Sequence, residues 1–217
     1  MSVRKIKKSY ISCVGYFISY KNGQSKIAFE SILESDFYMI LEFDTTVLKY
    51  EEQPIQMYYD YSDTQKRRYT PDTLVTYTDG TQKLFEVKYA NDFTRYPELP
   101  KKIEILRQYI QETYNIEFEV FTDQNITKVI LDNYKFLYKF AFVPLHTSIH
   151  EQIYYHIKTT SSINVQQLLT LLCHPQEELK YILPYVWNYF FQNHHLLNLN
   201  LPLTMCSIIY KNGATHG

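Results

Sequence analysis

Between Tyr69 and Tyr89 the chain carries three ionisable residues whose positions restrict how the segment can pair with itself. Glu86 and Lys88 lie two residues apart in Leu84-Phe85-Glu86-Val87-Lys88, so on a strand they share one face while Phe85, Val87 and Tyr89 take the other. Asp72 opens the preceding run, Asp72-Thr73-Leu74-Val75-Thr76-Tyr77, and Asp79-Gly80 marks a turn between the two. Asp72 falls opposite Glu86, on the same face, only if the pairing is centred on Asp79, which requires a loop of Thr78, Asp79 and Gly80. A two-residue loop puts the acids on opposite faces. The common three-residue hairpin is a type I turn followed by a left-handed residue, and Gly80 stands where that residue is needed. Turn chemistry and the geometry of an acid pair make the same demand from independent causes.

Two carboxylates and an amine in that arrangement suit a divalent metal, a phosphodiester and a polarised water. Hard carboxylate oxygens bind magnesium, and the ammonium offsets developing negative charge. On this reading Asp72, Glu86 and Lys88 cut nucleic acid. The competing reading is a solvated Glu-x-Lys face with a cross-strand ion pair. Thr73 to Tyr77 and Lys83-Leu84-Phe85 supply apolar cover on both faces, which would partly bury the acids, and buried carboxylates normally need a metal or a cation beside them.

A formal net charge of -1 gives no global attraction to nucleic acid, so binding needs a local patch or a partner. Arg4, Lys5, Lys7 and Lys8 make a short basic start, either a solubilising tail or a phosphate-contacting arm. The 22 tyrosines are spread along the chain rather than gathered as base-stacking platforms. Cys13, Cys173 and Cys206 are too scattered for a disulfide framework, and no leader-like apolar stretch opens the chain, so a cytoplasmic location is expected. Cys173-His174, His194-His195 and Cys206, or His146 with His150, match no standard zinc spacing. With 5 glycines and no glycine-rich phosphate loop, nucleotide hydrolysis is not expected. The most apolar stretch, around 182–191, is broken by Pro184 and Asn188, so no membrane span is expected.

Upstream of the acid hairpin, residues 9–20 and 26–29 read as an entry hairpin turned by Lys21-Asn22-Gly23, followed by a helix over 31–43 and strands over 47–50 and 55–61. Downstream come a helix over 100–112, with Lys101, Lys102 and Arg107 on its polar side, and a strand over 118–121. Glu34 on the first helix is a natural third acid, but Ser31 and Glu34 also fit a capping box, which the residues alone favour. Glu30 competes for the same role. From about 143 the charge thins out. Helices over 152–157, 164–172 (N-capped by Asn164) and 176–192, then strands over 196–199 and 205–210, describe a winged helix with few cations, better suited to docking a protein than to reading DNA.

Five ordered blocks carry a resemblance: Phe29-Glu30-Ser31-Ile32-Leu33-Glu34-Ser35-Asp36-Phe37, Leu41-Glu42-Phe43-Asp44, Glu52-Gln53-Pro54, Arg68-Tyr69-Thr70-Pro71-Asp72, and Asp79-Gly80 leading to Phe85-Glu86-Val87-Lys88. Together they resemble the TnsA endonuclease subunits of heteromeric transposases, within the PD-(D/E)xK nucleases, from about residue 1 to 140 and more weakly through Leu201-Pro202-Leu203-Thr204 to Ile209. The resemblance implies an α/β, restriction-endonuclease-like mixed sheet flanked by helices over 1–142, with the small winged-helix-like α+β module at 143–217. It implies Glu34 as the helix-borne acid, Asp72 and Glu86 as the main magnesium ligands, with manganese substituting, and Lys88 as the residue that orients and polarises the attacking water. Glu86 stands where some members of the wider group carry Gln. Gln53 has no chemistry readable from the sequence and stays outside the catalytic set.

The resemblance further implies cleavage of transposon-end double-stranded DNA at the 5′ ends, a DDE-type, TnsB-like transposase partner for the 3′ ends, an AAA+ ATPase, TnsC-like regulator, and association with the nucleoid during transposition. Two alternatives remain: a non-catalytic subunit that holds transposase and regulator together, and a repair or restriction nuclease acting alone.

Overall fold

The computed structural model describes residues 13–173 and 179–213. The chain divides into two compact units, Met1–Ile126 and Thr127–Gly217. Arg4 to Lys8, the first residues of the expected entry strand, His174 and residues 176–178 of the expected last helix lie outside the described residues.

The first unit opens with an antiparallel hairpin, β1 (Gly15–Ser19) and β2 (Ser25–Phe29). Its turn is fastened to the elements that follow: Asn22 Nδ2 donates to Tyr50 O at 2.7 Å, and Lys21 Nζ donates to Asp44 O and Val47 O. Helix α1 (Ile32–Phe43) is N-capped by Ser31 and buries Leu33, Phe37 and Leu41 at four-residue spacing. Its last turn carries the buried Glu42, which accepts hydrogen bonds from Ser19 Oγ, Tyr50 OH and Lys21 N. A buried carboxylate needs such donors, and here they hold the hairpin to the helix.

The main sheet has the order β3-β6-β7-β8, with β3 (Val47–Glu52), β6 (Thr73–Tyr77) and β7 (Gln82–Val87) antiparallel in succession and β8 (Glu117–Phe121) parallel to β7. A parallel pair requires a crossover, supplied by the short α2 (Asp92–Arg95) and by α3 (Leu99–Tyr114), which ends on left-handed Asn115. Alternation along β7 and β8 sorts the two faces. Phe85 and Phe121 meet Phe37 of α1 at ring distances of 5.0 and 4.7 Å, while Leu84 and Phe118 pack with Leu106 and Ile110 of α3. The mixed sheet between helices is the restriction-endonuclease-like architecture expected from the sequence.

One hairpin was not expected. β4 (Met57–Ser62) pairs with β5 (Gln65–Tyr69), whereas the sequence reads as a single strand ending near 61. Gln65-Lys66-Arg67-Arg68 shows no apolar alternation, because β4 brings the buried Met57 and Tyr59 and β5 adds only Tyr69 to the α3-side core.

In the second unit the chain runs α4 (Lys128–Tyr138), α5 (Thr147–Thr159), β9 (Ile163–Asn164), α6 (Val165–Leu172), α7 (Leu179–Gln192) and β10 (Ile208–Ile209). The division falls sixteen residues before the boundary expected at 142/143. Composition placed the boundary where charge thins out, but α4 packs within the second unit: Phe136 lies edge-on to Trp187 at 4.8 Å, and the buried Asn133 bonds the backbone near 200. Asn164 caps α6 in a full capping box with Gln167. The strand expected over 196–199 is instead a 3-10 turn, His194–Leu196, followed by one bridge from Leu197 to Ile209, and the strand over 205–210 shortens to β10, which pairs with β9. Asn133 is the physical reason, since its side chain takes the backbone groups that a longer ribbon would pair: it donates to Leu199 O and Leu201 O and accepts from Leu203 N, all at 2.9 Å. Asn133→Ala should therefore cost about 2–4 kcal/mol, through three backbone groups left unpaired. Calorimetry that shows no loss in the melting of the second unit would remove this assignment. Among the described residues no helix is long and apolar enough to cross a membrane.

Candidate active site

The β6–β7 register is Thr73↔Phe85, Leu74↔Leu84, Val75↔Lys83 and Thr76↔Gln82. These pairs are centred on Asp79, as the acid pair requires. Gly80 takes φ +86 and donates its N–H to Tyr77 O, closing the three-residue loop. One step beyond the first pair, Asp72 N donates to Phe85 O at 3.0 Å, and the Asp72 carboxylate accepts Val87 N–H at 2.7 Å through Oδ2.

Asp72, Glu86 and Lys88 converge. Lys88 Nζ lies 3.0 Å from Glu86 Oε1 and 3.5 Å from Asp72 Oδ2, and also donates to Val87 O. Glu86, only 3% exposed, accepts Tyr69 OH at 2.5 Å on its other oxygen. These groups line a cavity of about 590 Å³ with Glu30, Glu34 and Arg68. A second lysine, Lys102 of α3, comes within 3.7 Å of Glu86 Oε1.

Burial, reinforced by the charge of Glu86, pushes the Asp72 carboxyl up to about 7 against the pull of Lys88. For Lys88, burial works to lower the pKa, but Asp72 and Glu86 outweigh it and hold the ammonium above its ordinary value. Asp72 thus takes up its proton more readily in the folded chain than in the unfolded one. Its ionisation costs folding stability in full above about pH 7, and the cost disappears as pH falls below the unfolded carboxylate range near 4. Without divalent metal, the melting temperature should rise as pH is lowered from 8 toward 5, and Asp72→Asn should flatten that rise. A profile unchanged by the substitution would contradict the coupling of Asp72 to the buried Glu86.

Glu34 serves its helix end. Ser31 Oγ accepts from Glu34 N, while the Glu34 carboxylate accepts from Ser31 Oγ and Glu30 N, each at 2.9 Å. The cap favoured by the residues alone is present, and the same carboxylate lines the cavity. Burial raises its pKa, and those two hydrogen bonds pull it back. Glu30 also lines the cavity and accepts Gln53 Nε2 at 3.2 Å.

Gln53, left aside on sequence grounds, is buried with left-handed φ +42, and its N–H donates to Asp72 O at 2.9 Å. Its side-chain carbonyl is buried without a hydrogen-bond partner. Glycine or asparagine takes such a backbone more readily. A glutamine immediately before proline at a strand end was the available signal, because Pro54 further narrows the backbone choices of Gln53.

Among the described residues no three His, Cys, Asp or Glu side chains are close enough together to hold a metal ion by themselves. The donor set is the Asp72–Glu86 pair, with the Lys88 ammonium between them. Such a pair fits magnesium, which is commonly held by one or two carboxylates and completes its shell with waters and substrate phosphate oxygens.

A mixed sheet between helices, with an acid pair and a lysine on and beside two adjacent strands, is the restriction-endonuclease-like fold class. Residues 44–123 match the family model described as TnsA-like endonuclease N terminal, so this part of the chain is similar to TnsA-like nucleases, which are related to transposase subunits. The matched segment includes Asp72, Glu86 and Lys88 and stops short of Glu30 and Glu34. No match was found among curated proteins.

Proposed function

We propose that the chain is the metal-dependent endonuclease subunit of a heteromeric transposase, and that it cuts the 5′ ends of the element while a DDE-type partner processes the 3′ ends. The observation that carries this reading is the Lys88 ammonium held between Asp72 and Glu86 at a cavity wall, within a segment that matches TnsA-like endonucleases. Asp72 and Glu86 are assigned as the magnesium ligands and Glu34 as the helix-borne acid, with manganese substituting for magnesium.

When bound there, the ion supplies positive charge for the scissile phosphate and lowers the pKa of a coordinated water. Val87 N–H fixes the Asp72 carboxylate by its hydrogen bond to Oδ2, and Tyr69 OH fixes Glu86, so Asp72 is oriented by its own hairpin and Glu86 by the end of β5. Lys88 keeps its proton at neutral pH, which suits Nζ to orienting a water and stabilising an anionic phosphorane rather than to abstracting a proton. The products are a 5′-phosphate and a 3′-hydroxyl.

The second unit is assigned to partner docking. After α4 its order, helix, short strand, two helices and a bridge to a last short strand, supports a winged-helix-like module, with the transposase or the ATPase regulator as the partner. The test is strand-resolved cleavage of labelled transposon-end DNA with magnesium, for wild type and Asp72→Ala, with and without the DDE partner. Asp72-dependent 5′ cuts that need the partner support the proposal. Cutting without the partner points to a stand-alone nuclease, and transposition unaffected by Asp72→Ala points to an assembly subunit.

A further inference from the structure

The β4–β5 hairpin and the start of α3 place four cations beside the acid cavity. Arg68 and Lys102 line the cavity itself, together with Gln56 and Thr70. Their sequence neighbours Arg67 and Lys101, outside the cavity lining, meet on one ring: Arg67 Cζ lies 3.6 Å and Lys101 Nζ 5.3 Å from the centroid of Tyr61. The β4–β5 register sets the exposed Tyr58 opposite Arg68, and Gln56 Nε2 donates to Tyr58 OH at 3.1 Å. Arg68 is exposed, and no ion pair with another described residue neutralises it. Lys66 and Arg107, by contrast, face Asp60 at 3.9 Å and Glu104 at 2.6 Å. Arg68 is thus set apart from the cations already matched by neighbours, while Lys102 faces Glu86 at 3.7 Å on the cavity wall.

Arginine, lysine, threonine, glutamine and tyrosine side chains are the groups that contact nucleic-acid phosphates and sugars, and such contacts fix the position of a duplex without reading its sequence. A chain of net charge -1 must gather its phosphate contacts locally. We propose that this surface holds the phosphate backbone of the DNA strand to be cut, with Arg68 and Lys102 on the phosphates at the acid pair and Arg67 and Lys101, mounted on Tyr61, on the next ones along. The inference rests on the nuclease reading and adds the element that seats the substrate: the hairpin between β3 and β6, which the sequence did not reveal.

Binding of a fluorescein-labelled random-sequence DNA duplex to the full chain, measured by anisotropy over a series of salt concentrations, tests it. All proteins carry Asp72→Asn so that the duplex stays intact. The double variants Arg68→Gln/Lys102→Gln and Arg67→Gln/Lys101→Gln should each bind roughly tenfold more weakly and reduce the slope of log K against log salt by about 2, one for each lost phosphate contact. Arg107→Gln should change the slope by less than half a contact. Slopes unchanged in both double variants, or a parent without salt-dependent binding, would overturn the surface. Because the second pair lies away from the carboxylates, its slope also separates phosphate contact from disturbance of Glu86 by loss of Lys102. Cleavage of transposon-end DNA by Asp72-intact proteins, measured with magnesium and with the DDE partner present, keeps the two proposals distinct. A wild type that cuts while both double variants bind normally retains the nuclease and loses the surface. A wild type that binds with the expected slopes but never cuts retains the surface and loses the nuclease.

Discussion

Asp72→Asn should reduce DNA cleavage about a thousandfold, equivalent to about 4 kcal/mol of transition-state stabilisation, while leaving the fold intact. The substitution keeps the shape of the side chain and an oxygen able to accept Val87 N–H, now 2.7 Å from Oδ2, so the β6–β7 pairing should persist. What it removes is the charge that repels Glu86 and to which metal binding is assigned. Without magnesium the variant should therefore melt at or above the wild-type temperature at pH 8, because the carboxyl whose pKa burial and Glu86 push up to about 7 no longer has to ionise inside the protein. With magnesium the order should reverse, since an ion that binds only the folded wild type stabilises it by linkage. Cleavage and two melting curves per protein make the check. An Asn variant that cuts normally and keeps the wild-type magnesium shift would move the metal site away from Asp72.

The acid hairpin was legible because several local rules converge on one register: alternation, an odd loop and a glycine at the left-handed position. Each acts within a few residues, and the observed pairing centred on Asp79 obeys all of them. Features set by distant partners were not legible. β5 lacks apolar alternation because its neighbour β4 carries the buried side chains, so Gln65-Lys66-Arg67-Arg68 carries no strand signal of its own. The boundary between the units follows Asn133 and Phe136, whose partners lie more than fifty residues further on, while composition follows local charge. Glu34 shows a different difficulty. One carboxylate both caps its helix and lines the cavity, and a motif assigns only one of these roles at a time. Gln53 was passed over because its information lies in a backbone angle and an unpartnered carbonyl, neither of which is written in residue type.

Lys88→Ala should affect folding as well as chemistry. Nζ is the cation nearest both acids, and Glu86 is almost fully buried, so truncation leaves two adjacent carboxylates whose remaining ion pair among the described residues is with Lys102, 3.7 Å from Glu86. Removing one member of a buried ion pair costs about 3–5 kcal/mol, and the remaining lysine places the expected loss at the lower end. Cleavage should fall by about 10²- to 10⁴-fold, the range for loss of a group acting on the reacting water. The two effects respond differently to rescue. Magnesium should recover much of the melting temperature by replacing the missing positive charge, yet leave cleavage low because no ammonium orients the water. Lys88→Arg should likewise recover stability more than rate, since a planar guanidinium cannot place a single point charge between Asp72 and Glu86 while also donating to Val87 O. If magnesium or arginine restored cleavage together with stability, Lys88 would be a counter-ion of the folded site and not a participant in its chemistry.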